Sequence, residues 1–539
     1  MVIKHGKNFV VNSGEEWKGV RLAFFGNDTR IVKRHSVNVA ALTKDVTAKR
    51  NELRSRNRNP LRIIRQMKLN RISFITILIL FFLNLKAAAQ TVADTTAKAA
   101  ANASGIEHLL PTPFMVIPFL LLLLMIATGP LFYKHFWEKH YPKVSILLGA
   151  IVVIYYIFIL NNYHSIIHTL TEYISFIALL SSLFVASGGI LIRVDRKSTP
   201  MANVIFLFAA AVVANIIGTT GASMLLIRPF IKMNRNRIKP YHIIFFIFIV
   251  SNVGGALTPI GDPPLFLGFL SGVPFFWVIA NVWYIWLPAL LLILMAFYLF
   301  DVDNKKTSAK EIEYSGKIQF KGFKNLIFLA VIILAVFIDP AVIPWVPSLS
   351  PLPFGIREII MFAVVYLSYR FADEQILKDN EFDFEPIKEV AYLFIGIFAT
   401  MVPALQLIAS EAHTLGNKLN AGVFYWATGG LSAVLDNTPT YMNFLSAAMG
   451  KYGLDVTNKL HVLQFVSVDE VYLKAISVAA VFFGSITYIG NGPNFMVKSI
   501  SERAGIEMPS FFTYIIKYSL IILVPIFAVI WLIFFYGRG

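Results

Sequence analysis

From residue 113 onward the chain alternates long apolar stretches with short polar ones. Apolar segments near 113–133, 144–160, 173–192, 241–260 and 277–300, then near 323–340, 354–371, 389–410, 471–490 and 512–536, each approach the ~20 residues a helix needs to cross a bilayer. Two further stretches, 202–227 and 421–449, do not read as single spans. The run from Arg228 to Lys239 that follows the first carries five basic residues. Counting 202–227 as a crossing would put that run outside, against the positive-inside bias. A re-entrant hairpin keeps Arg235 cytoplasmic. The same count leaves the six lysines between Asp301 and Lys324 inside and Lys459 outside, with 421–449 a second hairpin entered from the outer face. The pattern predicts an all-α polytopic membrane protein. Its halves, 113–300 and 323–536, each hold five spans and one hairpin and are joined by a cytoplasmic linker, 301–322. Because five is odd, the halves run in opposite senses across the bilayer, an inverted repeat.

The segment upstream reads differently. Residues 1–66 carry fifteen Lys/Arg against five Asp/Glu, which makes them a basic leader and an over-extended translation start. From Met67 a basic start leads into an apolar core from Ser73 to Leu85, and Ala87–Ala89 precede Gln90. That is the three-part plan of a signal peptide over 67–89, with a mature terminus at Gln90 and an exterior linker over 90–112. Composition agrees with the membrane class: 57% of the 539 residues are hydrophobic and 15% charged, too apolar for a soluble chain of this size. The net charge of +17 sits mostly in the leader and short loops, so it argues for topology and not for nucleic acid. The absence of cysteine removes disulfides and thiolate metal sites.

The spans are interrupted where lipid would punish it. "SNVGGALTPIGDPPLF", Ser251 to Phe266, puts Gly, Pro and a carboxylate inside an apolar stretch. Similar breaks fall at Gly218–Gly221, Leu435–Pro439 and Gly484–Pro493. Backbone without helical hydrogen bonds is tolerated at membrane depth only where protein encloses it. The breaks pair between the halves: the run from Gly255 to Pro264 aligns without gaps to that from Gly484 to Pro493, and "GTTGASMLL" from Gly218 aligns to "LDNTPTYMN" from Leu435. Asp262 thereby matches Asn491, and Asp436 matches Thr219. Asp262 and Asp436 are the carboxylates at the breaks, and a buried intramembrane charge is a functional candidate by default. The bland alternative is that each caps a half-helix N-terminus, which for Asp436 stands beside ion binding.

These residues carry a resemblance. "SNVGGALTPIGDPP" is similar to the glycine-rich Gly-Asp-Pro-Pro signature of the ion transporter superfamily, in the branch that joins ArsB/NhaD sodium/proton antiporters to citrate-transporter-like carriers. "LDNTPT" resembles its Asp-Asn-x-x-Thr hairpin tip. The resemblance spans roughly Pro111 to Phe535. It implies a homodimer whose scaffold helices hold the interface while hairpins and broken helices move as a transport domain. It also implies binding of Na⁺ or protons at Asp262 and Asp436. Thr219, Thr220, Asn252, Thr258, Asn437, Thr438, Thr487, Asn491 and Asn494 would complete the site, with backbone groups at Gly254, Gly255, Gly261, Gly484, Gly490 and Gly492. The first tip departs from the pattern, with Thr219-Thr220 in place of Asp-Asn, and Ser251-Asn252 is followed by Val253. Arg228, His242 and Lys474 fall only near span ends, so no cation for an anionic substrate is evident at the midplane.

The expectation is a secondary transporter of the inner membrane, a sodium(lithium)/proton antiporter by alternating access. A cation-coupled citrate or dicarboxylate carrier is the alternative, and a non-transporting membrane scaffold a remote third. No cofactor is expected beyond Na⁺ and H⁺, and no Walker motif or nucleophile elbow suggests an enzyme. His164, His168 and Glu172 have metal-ligand spacing but read as an exterior loop surface. Glu411 and His413 read as interfacial loop residues.

Overall fold

The structure is a computed structural model that describes residues 3–5, 8–10, 110–195, 198–305, 316, 318–340, 343, 345–349, 352–415 and 419–538. The expected signal peptide, its processing at Gln90 and nearly all of the exterior linker lie outside those residues. The chain forms two compact units, Met1–Ala103 and Ser104–Gly539. In the first, the described residues form one pair of strands, Ile3–His5 (β1) antiparallel to Asn8–Val10 (β2).

The second unit is helical. In chain order its helices are Ile117–Phe132 (α1), Lys134–Phe158 (α2), Tyr163–Gly188 (α3), Pro200–Met233 (α4), Pro240–Ile249 (α5), Pro263–Ser271 (α6), Phe275–Lys305 (α7), Phe323–Val336 (α8) and Ile356–Phe371 (α9). There follow Glu374–Asp379 (α10), Glu385–Leu415 (α11), Ala421–Ser432 (α12), Asn437–Gly450 (α13), Lys459–Val468 (α14), Glu470–Phe483 (α15), Gly492–Arg503 (α16) and the composite Phe511–Phe534 (α17). Among the described residues, six helices are long and apolar enough to cross a membrane, namely α2, α3, α4, α7, α11 and α17, and shorter apolar helices accompany them.

Hydropathy misplaces several boundaries, and a side-chain cap explains one of them. The side chain of Asn162 accepts from the Ser165 N–H and starts α3 at Tyr163. His164, His168 and Glu172 therefore lie on the first turns of a helix, not in a loop, and Nδ1 of His168 is 3.8 Å from Oε2 of Glu172. Likewise "KHFWEKHYPK" is the first part of α2, and Glu411 and His413 end α11. A two-stranded ribbon, Leu191–Val194 (β3) antiparallel to Ile318–Lys321 (β4), occupies the end of the expected third span and part of the expected linker.

The α4 segment bends at Gly218, whose φ of 78° and ψ of 154° break the helix. Its ends nonetheless meet. Nδ2 of Asn203 donates to Oδ1 of Asn234 at 2.8 Å and the reverse bond measures 2.9 Å. Phe206 and Phe230 stack with centroids 5.4 Å apart. A straight helix would hold residues 31 positions apart at about 46 Å. At α12 and α13 the same happens: Nζ of Lys451 donates to the Leu419 carbonyl at 3.1 Å and to Tyr472.

The ends of α4 are fastened by a buried carboxylate. Asp301, expected to open the linker, is the fully buried end of α7. Its Oδ1 accepts from Nη2 of Arg237 at 2.6 Å and from the Tyr241 hydroxyl at 2.7 Å, with Nε2 of His242 at 3.1 Å. Its Oδ2 accepts from Nδ2 of Asn203 at 2.9 Å. The helices that precede the two long breaks sit inside protein: every residue from His242 to Val250 is 0% exposed. Interrupted backbone here is enclosed as membrane depth requires.

Candidate functional site

The segment between α5 and α6 is held open by its own threonine. Oγ1 of Thr258 accepts from the Gly261 N–H at 3.0 Å and donates to the Asn215 carbonyl of α4 at 2.5 Å. The segment between α15 and α16 is built alike. Oγ1 of Thr487 accepts from the Gly490 N–H at 3.0 Å and donates to the Ala433 carbonyl at 2.6 Å. Both hydroxyls are thus engaged in shaping the breaks. The glycines serve close approach: a Cβ on Gly255 would lie 2.6 Å from the Gly261 carbonyl oxygen, and one on Gly490 would lie 2.7 Å from that of Gly484. Gly492 stands at the same break without that crowding. It opens α16 with nothing within 4 Å of a Cβ, so neither space nor φ demands glycine there.

Carbonyls of both segments accept hydrogen bonds from the next long helix. Nε1 of Trp286 in α7 donates to the Val253 carbonyl at 2.7 Å. The hydroxyls of Tyr514 and Ser519 in α17 donate to the carbonyls of Ser485 and Ile486, each at 2.8 Å. In α17 these contacts coincide with a π-helical stretch, Ile515–Leu523, a form that is rare and concentrates at functional sites.

Asp262 and Asn491 are the N-cap residues of α6 and α16, with nearly equal backbone angles (φ −144°, ψ 142° and φ −148°, ψ 139°). Neither side chain caps its own helix, which removes the bland reading for Asp262. Instead Oδ1 of Asp262, a residue 1% exposed, accepts from Oγ1 of Thr219 at 2.7 Å and from Nδ2 of Asn491 at 3.2 Å. Oδ2 accepts from Nδ2 of Asn437 at 2.5 Å. Thr219 follows the bend at Gly218, and Asn437 is the first residue of α13. Every group around this carboxylate therefore stands at a helix N-terminus, where partial positive charge gathers.

A second layer supports the first. Nδ2 of Asn252 donates to Oδ1 of Asn494 at 2.7 Å, and Nδ2 of Asn491 reaches Oδ1 of Asn252 at 3.3 Å. Asn494 donates to the carbonyls of Gly484 and Thr487 at 2.8 and 2.9 Å. Thr220 lies beside Thr219 on a cleft of about 20 Å³ between α3 and the Gly218 bend, lined also by Phe184 and Pro263. The cleft has room for about one water.

Asp436 shares no hydrogen bond with Asp262, although its charge acts on that carboxylate. It caps α13, Oδ1 accepting from the Thr438 N–H at 3.0 Å. Oδ1 of Asn437 is buried without a hydrogen-bond partner among the described residues, and the Thr438 hydroxyl lies against the Asp436 carboxylate. Arg228, His242 and Lys474 take no part in the cluster: Arg228 pairs with Glu381, His242 with Asp301 and Lys474 with Glu470. Among the described residues there is no group of three or more His, Cys, Asp or Glu arranged to hold a metal.

Asn215 was not anticipated. Its Nδ2 donates to the Gly254 carbonyl at 2.6 Å and its Oδ1 accepts from the Leu257 N–H at 2.8 Å, so it knits α4 to the break. The available signal was a single amide three residues before Gly218 in an apolar run.

Apolar helices of spanning length around a protein-enclosed polar centre define a multi-pass membrane protein of the transporter class. A family model described as "Putative citrate transport" matches residues 108–535, and the chain belongs to that family. No curated protein matches the chain.

Proposed function

We propose that the chain is a secondary transporter of the inner membrane that carries citrate-like di- or tricarboxylates together with Na⁺ or H⁺. The observation that carries this reading is the set of helix N-termini at Thr219, Asp262, Asn437 and Asn491 around one carboxylate. Such termini favour anions and supply hydrogen bonds without a cationic side chain. The lack of a midplane cation, which had pointed toward antiport, thus loses its force. Family membership also favours a carboxylate substrate over simple cation exchange.

Coupling follows from charge. A substrate carboxylate brought to the cluster meets the negative charge of Asp262 in a poorly solvated place, where like charges repel strongly. A proton or Na⁺ on Asp262 removes that repulsion. The unpartnered Oδ1 of Asn437 is a suitable further ligand for a cation. Substrate and cation then bind together and move together.

The architecture in this reading is an inverted repeat with two re-entrant hairpins, 200–233 and 421–450, acting as a homodimer by alternating access. The meeting of Asn203 with Asn234 and of Leu419 with Lys451 supports the hairpins. The matched Thr258/Thr487 and Asp262/Asn491 geometries support the repeat. One observation favours sodium/proton antiport as a second reading: among the described residues every hydrogen-bond donor to Asp262 is neutral, so its charge is free to be exchanged. Proteoliposomes decide between them. Carboxylate carriage predicts citrate or succinate counterflow that depends on Na⁺ or a pH gradient. Dissipation of the gradient by Na⁺ or Li⁺ alone, with no carboxylate uptake, overturns it in favour of antiport.

A further inference from the structure

Arg228 lies on the second arm of α4, nine residues beyond Thr219 and so about 14 Å along the helix from the central cluster. The basic run that starts with it marks the cytoplasmic end in the topology argued above. Its guanidinium is largely buried, with 22% of the side chain exposed, yet only weakly engaged. Nη2 makes a single contact, 3.3 Å, to Oε2 of Glu381. Nη1 is buried with no hydrogen-bond partner among the described residues. Arg503 of α16 is close enough to add its positive charge to the same place.

Glu381 is a poor permanent partner. It is 62% exposed, and its φ of 46° is a left-handed conformation that costs a residue of this type free energy. The loop that carries it is fastened to the end of α3, where Nδ2 of Asn380 donates to the carbonyls of Gly188 and Ile190 at 2.8 and 2.7 Å. The next residue, Phe382, packs on Phe184 with centroids 5.5 Å apart and stands 5.0 Å from Phe384. Phe184 also lines the cleft beside Thr219 and Thr220. The Phe382–Phe184 pair thus links the loop that holds Glu381 to the cleft beside Thr219.

An arginine fork binds a carboxylate best through two parallel hydrogen bonds, at about 2.7–2.9 Å. The pair with Glu381 offers one long bond and leaves a buried donor idle. We propose that Arg228 is a transit site for a substrate carboxylate at the cytoplasmic mouth, and that Glu381 is the resident carboxylate which the substrate displaces. This rests on the carboxylate-transport reading. Displacement completes the fork through Nη1 and frees the loop of Phe382 from its tie to α4.

The test compares Arg228→Gln with Glu381→Gln in the full chain, with citrate as the probe in everted and right-side-out vesicles. In a transit site the two variants move oppositely. Arg228→Gln raises the KM for citrate entering from the cytoplasmic face about tenfold, the loss of about one charged hydrogen-bonded contact. Glu381→Gln lowers it, because the competitor has gone. A plain structural ion pair predicts that both variants shift in the same direction and that the charge swap Arg228→Glu with Glu381→Arg restores transport; either result overturns the proposal. Uptake retained in right-side-out vesicles reports that each variant is folded. Wild type that moves no citrate from either face defeats the functional reading, and the transit site falls with it. Wild type that moves citrate while the variants shift together defeats the transit site alone.

Discussion

Asn491 reaches across the centre of the molecule to Asp262: its Nδ2 donates to Oδ1 at 3.2 Å although the residues are 229 positions apart. Each begins a short helix that it does not cap with its side chain, so both polar groups are free to face one another.

That relationship separates the two carboxylates that the sequence singles out. Asp262→Asn keeps the shape but removes the charge, and it puts an amide donor or a second neutral acceptor before Thr219, Asn437 and Asn491. Cation-coupled citrate uptake is expected to fall at least about tenfold, the effect of losing a charged hydrogen-bonded contact of about 1.5–3 kcal/mol. Asp436→Asn retains a good N-cap, so uptake should persist, whereas Asp436→Ala should lower stability by about 1 kcal/mol. Initial rates in proteoliposomes, beside thermal unfolding in detergent, check both. Equal loss in the two Asn variants would show that Asp436 is a partner in coupling and more than a cap.

The fold-back of α4 makes a geometric prediction. In this cysteine-free chain, Asn203→Cys with Asn234→Cys should be joined by a short bis-thiol-reactive linker, because the native side chains hydrogen-bond directly. Straight helix would place the pair about 46 Å apart and give no product. An impermeant thiol reagent should reach a lone Arg235→Cys only from the cytoplasmic face; labelling from outside would reverse the topology.

The breaks were legible because lipid leaves no quiet way to interrupt a helix, and Gly, Pro and Asp at membrane depth announce themselves. Asp262 could be singled out for that reason. Asp301 could not, since its meaning lies in Asn203, Arg237 and Tyr241, which are distant in sequence, and it falls where hydropathy has already turned polar. The part that Thr258 and Thr487 play in shaping the breaks was not legible, because a sequence shows that a hydroxyl is present and not where it points. The start of α3 was missed because one Asn162 cap overrode a polar composition. The choice between cation and carboxylate was unreadable for a related reason. Helix N-termini carry their positive charge in the backbone, and no residue letter records it.

The Asp301 centre should govern stability more than transport. Arg237→Ala leaves a fully buried carboxylate without its 2.6 Å ion-pair partner. Breaking one side of a buried pair costs about 3–5 kcal/mol. A large fall in the unfolding temperature in detergent is expected. Combining it with Asp301→Asn should recover part of the loss, since the stranded charge is then gone. A double variant less stable than Arg237→Ala would show that Asp301 draws its main support from Tyr241 and Asn203.

Two glycines of the breaks offer a paired test of what glycine does there. Gly261 faces Gly255 across the unwound segment, and a methyl group on it would fall on the Gly255 carbonyl oxygen. The collision is with backbone, which cannot rotate aside, and the segment that must yield is the one that carries Asp262. Gly261→Ala is therefore expected to cost about 1–3 kcal/mol, as overpacking does, and to displace Asp262 from Thr219 and Asn437. Transport should fall even in protein that folds. Gly492 follows Asn491 at the start of α16 with open space around it. Gly492→Ala meets no atom, needs no unusual φ and restricts the unfolded chain, so stability should hold or rise by about 0.4–1 kcal/mol. Thermal unfolding and citrate uptake measured on both variants read the two effects separately. Loss of uptake in Gly492→Ala with its stability intact would mean that the free space beside Asn491 is itself needed, as room for substrate.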